Sequence, residues 1–305
     1  MRRLAAAALI ALAMTPATTP AAAQDRVTLG RGTLFTNDAL GDGRDRWRTG
    51  SYVVSIPRGP AWSGSRPARP GEILEWRLRA EVIAPARLTA PAANDRRYAG
   101  LATIGLHTHF ASGPAEVSAG VDAVFVGPMT QVGAFQSGVH DLLGLPSPAN
   151  ALSNQIGNAL YPTLLVEAGL PVQAGPARLR PFVEAQAGIE TFARAGVDVT
   201  IGAFGFGELT VRDATTGHLY RATKTAVPTG PSFVLGADVA YVAGSALLPA
   251  GGGAVLRPVR TRLRAGMHWQ GERAEVFYGI TRLGREFESQ AVEQTVGSVH
   301  LRLRF

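Results

Sequence analysis

The sequence predicts an all-β fold, namely an antiparallel transmembrane β-barrel of about twelve strands with a partly helical long loop. Three observations support this fold class: segments of about ten residues that alternate polar and apolar side chains, an arginine-rich polar face on those segments, and an N-terminal export signal. A membrane barrel with a polar interior requires such alternation, because each strand faces lipid on one side and the lumen on the other.

The N-terminal segment has the three parts of a secretory signal. Two arginines precede an apolar run from Leu4 to Met14, and small residues follow up to Ala23. The run is too short to span a bilayer, so we predict a signal peptide over residues 1–23, cleaved after Ala23. Residues 24–305 then form a single outer-membrane barrel domain, since no repeat or linker divides them.

Period-two alternation is clearest in residues 73–83, 259–269 and 298–305. Their polar faces carry Glu75, Arg77, Arg79, Glu81, Arg260, Arg262, Arg264, His268, Ser298, His300, Arg302 and Arg304. We predict that these faces point into the lumen, because an arginine against lipid near the midplane costs about 2–4 kcal/mol. The chain also ends in Phe305, as bacterial outer-membrane barrels usually do.

Twelve segments are candidate strands, an even number as bacterial barrels require. They lie near 30–36, 47–56, 73–84, 98–110, 115–126, 160–171, 179–190, 194–206, 230–243, 257–269, 272–284 and 294–305. The connection 57–72, rich in Pro, Gly and Ser, is predicted to be a flexible loop. The connection 127–159 has apolar residues that predict short helices over the barrel. Long structured loops in compact folds are usually functional.

Composition and motifs exclude several classes of function. The chain has no cysteine, which excludes a disulfide framework and thiolate chemistry. Its formal net charge of +7 comes from arginines spread along the chain, so we predict no nucleic-acid surface. The glycine-rich run 202–207 does not open a helix after a buried strand, which favours a strand bend over a nucleotide loop. His107 and His109 share a strand face and could bind a metal, but lumen-facing polar residues are the favoured interpretation.

Three motifs occur in order along the chain. They are TND…DRWRTG, then DRRYAGL on a later strand, then VGP…Q…VH…LG…NQIGN in the long loop. From about Phe35 to the C-terminus the chain thereby resembles the outer-membrane lipid A deacylase family. These are calcium-dependent twelve-stranded barrels that remove the 3′-linked acyloxyacyl chain of lipid A. The resemblance implies a hydrolase of the bacterial outer membrane that acts on lipid A of lipopolysaccharide, with no protein partner evident.

The resemblance also implies a site made from two distant segments. By position it assigns catalytic roles to Asn37, Asp38, Thr49 and His140, with Asn37 and Asp38 as ligands of calcium. Ester hydrolysis by water needs a base that titrates near ambient pH, and histidine supplies one. A hard cation on oxygen ligands can stabilise the oxyanion, so no serine or cysteine nucleophile is required. Taken alone, an Asn-Asp pair such as Asn37–Asp38 at the end of a strand is ordinarily a turn. A lone histidine in a loop is ordinarily a polar residue with its hydrogen bonds satisfied, and not a base.

The sequence departs from the family pattern at two places. The family usually has a Glu about six residues after its loop histidine, where this chain has Pro146; Asp141 or a loop carbonyl is left to orient His140. The family's basic pair is also missing, and Arg87 is the nearest candidate for gripping lipid A phosphate. Gln155 matches the family closely enough to be a second candidate for substrate binding.

Other readings of the same residues stay open. Asp45–Arg46 and Asp95–Arg96 are predicted to be ion pairs in the lumen that brace the barrel wall. A barrel of the same fold with altered chemistry is the alternative to a deacylase: a pseudoenzyme, a lipid-binding protein or an esterase for another lipid. A small pore is disfavoured, because the many Arg and Glu side chains of the lumen are expected to plug it.

Overall fold

A computed structural model describes residues 25–225 and 228–303. The predicted signal peptide, residues 1–23, and the terminal Phe305 lie outside the described residues. No helix among the described residues is long and apolar enough to cross a membrane.

Twelve antiparallel strands form one closed ring, which confirms the predicted fold class and strand number. The strands are β1 (Gly32–Asn37), β2 (Trp47–Gly59), β3 (Leu74–Ala84), β4 (Ala99–Ser112), β5 (Ala115–Val126), β6 (Ala159–Gly169), β7 (Ala177–Ala187), β8 (Glu190–Ile201), β9 (Gly230–Ser245), β10 (Val259–Gln270), β11 (Ala274–Leu283) and β12 (Gln294–Leu303). Each strand pairs with its neighbours in sequence, and β12 closes the ring on β1 with Gly297 opposite Asn37. The predicted loop 57–72 starts later than expected, because β2 continues to Gly59.

The alternation along the strands has the predicted orientation. On β10, Arg262 and Arg264 are buried, whereas Leu263 between them is 56% exposed. On β3, Glu75 is buried and Trp76 is 46% exposed. Because a barrel has no other interior, the buried charged faces line the lumen and the exposed apolar faces form the lipid-facing surface.

The two ends of the barrel differ in the length of their connections. One end, the loop rim, carries residues 38–46, 85–98, 127–158, 188–189, 246–258 and 284–293. The opposite end, the turn rim, carries residues 60–73, 113–114, 170–176, 202–225, 228–229 and 271–273. Two short strands, Val27–Thr28 and Val172–Ala174, extend the sheet there by pairing with β2 and β7.

A hairpin that the sequence did not reveal fills the lumen from the turn rim. Residues 202–225, the lumen hairpin, contain two short paired strands, Thr210–Arg212 and Leu219–Arg221. The glycine-rich run 202–207 forms the turn that begins this hairpin after β8. Arg212 of the hairpin pairs with Asp198 at 2.7 Å and with Glu167 at 2.9 Å, both on the wall. The lumen is therefore packed with apolar and ion-paired side chains.

The connection between β5 and β6 is partly helical, as predicted. It contains a 3₁₀ turn (Pro128–Thr130), α1 (Val132–Leu143) and α2 (Ala149–Ser153). These helices pack on the outer side of the wall, not over the lumen. Gly100 faces outward on β4, and a Cβ built there would lie 2.9 Å from Cβ of Val132. Ala84 and Tyr98 at the ends of β3 and β4 likewise form an apolar cluster with Leu88 and with Ala151 of α2.

Candidate functional site

The first half of the candidate site lies where β1 ends at the loop rim. Asn37 caps a short 3₁₀ helix, Asp38–Leu40, by accepting a hydrogen bond from the Ala39 amide at 2.8 Å. Asp38 is 2% exposed, and its carboxylate accepts from the Arg46 amide at 2.9 Å. Asn37 pairs with Gly50 of β2 on the face that also carries the exposed Phe35, so this corner belongs to the outer side of the wall.

Asp38 is a buried carboxylate without a cationic partner among the described residues. Burial raises the pKa of Asp38 to about 7, and the nearby charges of Asp45 and Asp42 act in the same direction. Hydrogen bonds from the Arg46 amide and from Thr49 oppose the effect of burial. This carboxyl group is therefore poised to bind either a proton or a cation near neutral pH.

Thr49 enters the site through an irregularity of β2. Arg48 pairs with Ile83 and Gly50 with Val82 of β3, so Thr49 is the extra residue of a β-bulge. Trp47, just before it, has a φ of 51°, which a bulky residue rarely adopts. Bulges re-aim side chains beside functional sites. Here the bulge brings Oγ1 of Thr49 to 3.0 Å from Oδ1 of Asp38 and 2.7 Å from Oδ1 of Asp45.

The second half of the site is the buried face of α1. Gln136 and His140, four residues apart, lie on one side of the helix and are both buried. The helix ends at Gly144, whose φ of 66° lets the chain turn back sharply. That turn brings the carbonyl of Pro146 to 2.6 Å from Nδ1 of His140. A loop carbonyl thus orients the imidazole, and Asp141 is an exposed residue pointing elsewhere.

Asp45 joins the two halves. Its Oδ2 lies 2.9 Å from Nε2 of His140, and its Oδ1 accepts from Gln136 at 3.2 Å and from Thr49. Gln136 in turn accepts a hydrogen bond from the Tyr98 hydroxyl at 2.9 Å. One polar cluster therefore runs from Asp38 through Thr49 and Asp45 to His140, across about a hundred residues of sequence.

The contacts of His140 distinguish its two ring nitrogens. A carbonyl only accepts, so Nδ1 carries a hydrogen and donates it to Pro146. Nε2 lies 2.9 Å from Oδ2 of Asp45 and 3.4 Å from the side-chain nitrogen of Gln136. The side chain of Asp45 is 35% exposed, whereas that of His140 is 5% exposed. Asp45 therefore marks the side from which water and ligands reach Nε2.

Two predicted substrate-binding residues lie outside this cluster. Arg87 is exposed in the connection after β3 and makes no hydrogen bond or ion pair within the described part of the chain. It stands next to Leu88, whose carbonyl accepts from the Ala151 amide of α2 at 3.1 Å. Gln155 bonds back to the Leu152 carbonyl, and its own carbonyl accepts from Arg97 at 2.7 Å. Both residues flank α2, and neither contacts His140.

Two predicted ion pairs are wrong. Arg46 pairs with Asp42 at 3.0 Å, because Asp45 is engaged with Thr49 and His140. Arg96 turns into the lumen and pairs with Glu286 at 2.5 Å, whereas the carboxylate of Asp95 accepts from backbone amides. Both dipeptides lie in connections of the loop rim, where each side chain finds a partner other than its neighbour in sequence.

The two strand histidines have separate lumen partners. His107 lies 2.7 Å from Asp122, and His109 lies 2.6 Å from Glu75 and 2.9 Å from Ser118. The favoured interpretation of lumen-facing polar residues therefore fits their contacts. Within residues 25–225 and 228–303 no three His, Asp or Glu side chains are grouped as a ready metal site.

The donor chemistry around Asp38 nevertheless fits a hard cation. Calcium binds carboxylate, amide and hydroxyl oxygens together with backbone carbonyls and water, and Asn37, Asp38, Asp45 and Thr49 supply such oxygens. Thr49 has one hydroxyl hydrogen but lies within hydrogen-bond distance of two carboxylates, Asp38 and Asp45. The hydroxyl can donate to only one of these carboxylates. Its close contact with the other one requires a proton on that carboxylate or a cation beside the two oxygens. With two carboxylates at most in reach, backbone carbonyls and water would have to complete the coordination.

A closed twelve-stranded barrel with an apolar outer face, a filled lumen and a polar cluster outside its wall defines an integral outer-membrane protein with a lateral site. The family described as outer membrane protein LpxR matches residues 4–305. The chain therefore belongs to the LpxR family, and the family predicted from the sequence is confirmed.

One solved structure supports the fold. The chain is similar to LpxR from Salmonella typhimurium, with a TM-score of 0.72 and 14% sequence identity, over 90% of this chain and 100% of that chain. The β domain of the Bordetella autotransporter BrkA gives a TM-score of 0.44 at 9% identity, over 90% of this chain and 99% of that chain. No curated protein matches the sequence.

Proposed function

We propose that this protein is a lipid A deacylase that hydrolyses an acyl ester of lipid A, the 3′-linked acyloxyacyl chain. One observation carries the proposal: Asp38, Thr49 and His140, assigned to one site by family resemblance, meet in a single hydrogen-bonded cluster. The proposal gives this cluster a catalytic role because an isolated turn or a satisfied loop histidine would not need a bulge and a buried carboxylate beside it.

His140 is the general base in this proposal. With Nδ1 donating to the Pro146 carbonyl, Nε2 is the nitrogen that accepts the proton of a water molecule. The water oxygen then bonds to the ester carbonyl carbon. The proton passes from Nε2 to the sugar oxygen as the bond between that oxygen and the acyl carbon breaks. The fatty acid is released, and a hydroxyl group remains on the sugar. Because a carbonyl orients the imidazole, the reaction does not require the Glu that the family has in place of Pro146.

Calcium is the proposed cofactor, held by Asp38 and the Asn37 amide oxygen. When bound, calcium would act as a Lewis acid and stabilise the negative charge that develops on the ester carbonyl oxygen. Thr49 holds the carboxylate of Asp38 in place through its hydroxyl group.

The cation is tested by removing its main ligand. Asp38→Ala should abolish hydrolysis and also abolish the heat of calcium binding measured by calorimetry, while the barrel still folds. Asp141→Ala, which changes an exposed carboxylate outside the cluster, should leave both unchanged. Calcium binding by Asp38→Ala equal to that of the wild type, or full wild-type activity in excess chelator, would remove the cation from the mechanism.

The position of the cluster suits a lipid substrate. Outer-membrane barrels place their longer loops outside the cell, which puts the loop rim at the leaflet that contains lipid A. A cluster on the outer side of the wall is open to lipids that diffuse laterally, without passage through the lumen. Arg87, exposed and without a partner in the described chain, is proposed to bind a lipid A phosphate.

One observation favours the alternative of altered chemistry. Asp45 occupies Nε2 of His140, so a water molecule must compete with a carboxylate for that nitrogen. A barrel in which water does not displace Asp45 from Nε2 would bind lipid A without cleaving it. Mass spectrometry of lipid A from cells with and without this protein separates the two functions. Loss of one acyloxyacyl group supports the deacylase, whereas identical spectra support a lipid-binding protein or another substrate.

A further inference from the structure

The loop between β5 and β6 presents apolar side chains to its surroundings. Five of them define what we call the apolar loop face: Met129, Phe135, Leu142, Leu143 and Leu145, with exposures of 42%, 72%, 84%, 64% and 47%. Phe135 and Leu142 are seven residues apart in α1 and share one side of the helix. The opposite side carries Gln136 and His140. The helix is therefore amphipathic with its polar side turned inward.

The same loop is almost free of charge. Residues 127–158 contain no Lys, Arg or Glu, and Asp141 is their one Asp. A water-exposed segment of this length ordinarily carries several charged side chains. Large apolar patches on exposed surfaces mark contacts with proteins or membranes.

The apolar loop face continues the lipid-facing surface of the barrel. Val132 of α1 packs on the outward side of Gly100 in β4. Further along the same side of β4 follow Ile104 and Leu106, which are 49% and 39% exposed. The exposed side of α1 thus extends the apolar surface of the barrel that faces lipid.

We propose that α1 is an interfacial helix whose apolar loop face is immersed in the acyl chains of the outer leaflet. An amphipathic helix lying at this boundary buries its apolar side to a depth of about 5–10 Å. The immersion fixes the depth of the polar cluster beneath the headgroups. This inference needs the barrel to sit in a membrane and does not depend on hydrolysis.

The absence of cysteine makes the test direct, since every introduced cysteine is the single labelling site. We would label Phe135→Cys and Leu142→Cys with an environment-sensitive fluorophore. Leu106→Cys on the lipid-facing wall is the positive control, and Ala92→Cys in an exposed loop of the same rim is the negative control. Retention of heat-modifiable migration on gels verifies that each labelled barrel is folded.

The labelled barrels are reconstituted in phosphatidylethanolamine–phosphatidylglycerol vesicles. A small fraction of the lipid carries a nitroxide near the headgroup end of its acyl chain. We expect labels at 135 and 142 to show blue-shifted emission, to lose intensity with nitroxide lipid as at 106, and to resist iodide. The label at 92 should emit at longer wavelength, keep its intensity with nitroxide lipid and be quenched by iodide. Iodide quenching at 135 and 142 equal to that at 92 would overturn the proposal. Protection from both quenchers, with cross-linking between two copies, would also overturn it by identifying a protein contact.

Discussion

Asp45 connects the two halves of the cluster, since it lies within hydrogen-bond distance of Thr49, Gln136 and His140 at once. Its carboxylate faces the nitrogen that the proposed reaction uses. It is also the most exposed member of the cluster. In the proposed mechanism Asp45 positions His140 until water and substrate arrive.

Asp45→Asn is the variant that isolates this role. The asparagine keeps the shape and the oxygen that faces Thr49, but its amide can donate to Nε2 and block the lone pair that must accept a proton. Turnover on lipid A should fall about 10²-fold, at the low end of acid–base contributions. Thermal stability should change little.

Asp42→Asn is the matched control, because Asp42 pairs with Arg46 at the same corner without touching His140. Its turnover should stay near that of the wild type. Equal turnover of Asp45→Asn and wild type would show that Asp45 has no part in proton transfer.

The individual residues of the site could be predicted only as far as the family pattern reaches. Asn37, Asp38, Thr49 and His140 fall in recognisable motifs, and the structure brings the last three into one cluster and Asn37 to its edge. Asp45 was assigned to an ion pair with Arg46, because a dipeptide of opposite charges suggests one. The positive φ of Trp47 and the bulge at Thr49 redirect these side chains, and neither has a local sequence signal.

Helix α1 sets the position of His140 through its last turn. The amide of Gly144 bonds to the carbonyl of Asp141, and the amide of Leu145 bonds to that of His140. Pro146 then offers its carbonyl to the imidazole. Glycine suits this position because its φ of 66° is left-handed.

Gly144→Ala is expected to disturb the site without unfolding the barrel. A side chain in the left-handed conformation costs roughly 1–2 kcal/mol. The turn would relax to relieve this strain, and the contact between Pro146 and His140 would be lost. We expect turnover to drop about tenfold, the change that 1.36 kcal/mol produces, with the melting temperature of the barrel unchanged.

Gly138→Ala provides the control within the same helix. Nothing lies within 4 Å of a Cβ at Gly138, and alanine favours helix there. Hydrogen exchange over residues 132–146 should be slower in this variant and faster in Gly144→Ala. Unchanged turnover in Gly144→Ala would mean that the turn does not orient His140.

At the level of elements, the sequence predicted the strands better than the connections. All twelve strands lie within a few residues of their predicted positions, because alternation over ten residues is a strong and redundant signal. The lumen hairpin was missed because its paired strands are three residues long, too short for alternation to be read. The helices of the long loop were predicted from apolar content, but their packing outside the wall was not readable from it.

The whole molecule combines a filled lumen with a polar cluster on the outer side of its wall. The lumen hairpin is held by Arg212 and Arg221, each paired with carboxylates of the wall. Such buried pairs leave an uncompensated charge when one partner is lost, so the hairpin resists displacement. In the proposed function the barrel is a rigid wall that carries the lateral site, and we expect no open pore.

Planar bilayers test this description. We expect the wild-type barrel to show no steady ion conductance, and a variant in which Gly-Ser replaces residues 207–225 to conduct. Both proteins should migrate as folded barrels on gels. A steady conductance of the wild type comparable with that of the shortened variant would contradict a closed lumen and revive the pore.

The most direct measurement compares purified wild-type protein with His140→Asn on lipid A in the presence of calcium. Asparagine retains polarity and approximate size but cannot accept the proton of water at Nε2. Mass spectrometry should show loss of the acyloxyacyl chain with the wild type. For His140→Asn we expect a rate lower by roughly two to four orders of magnitude, the usual contribution of acid–base catalysis. Equal rates of acyl release by the two proteins would contradict a catalytic role for this cluster. This holds whether both proteins release the chain rapidly or neither releases it.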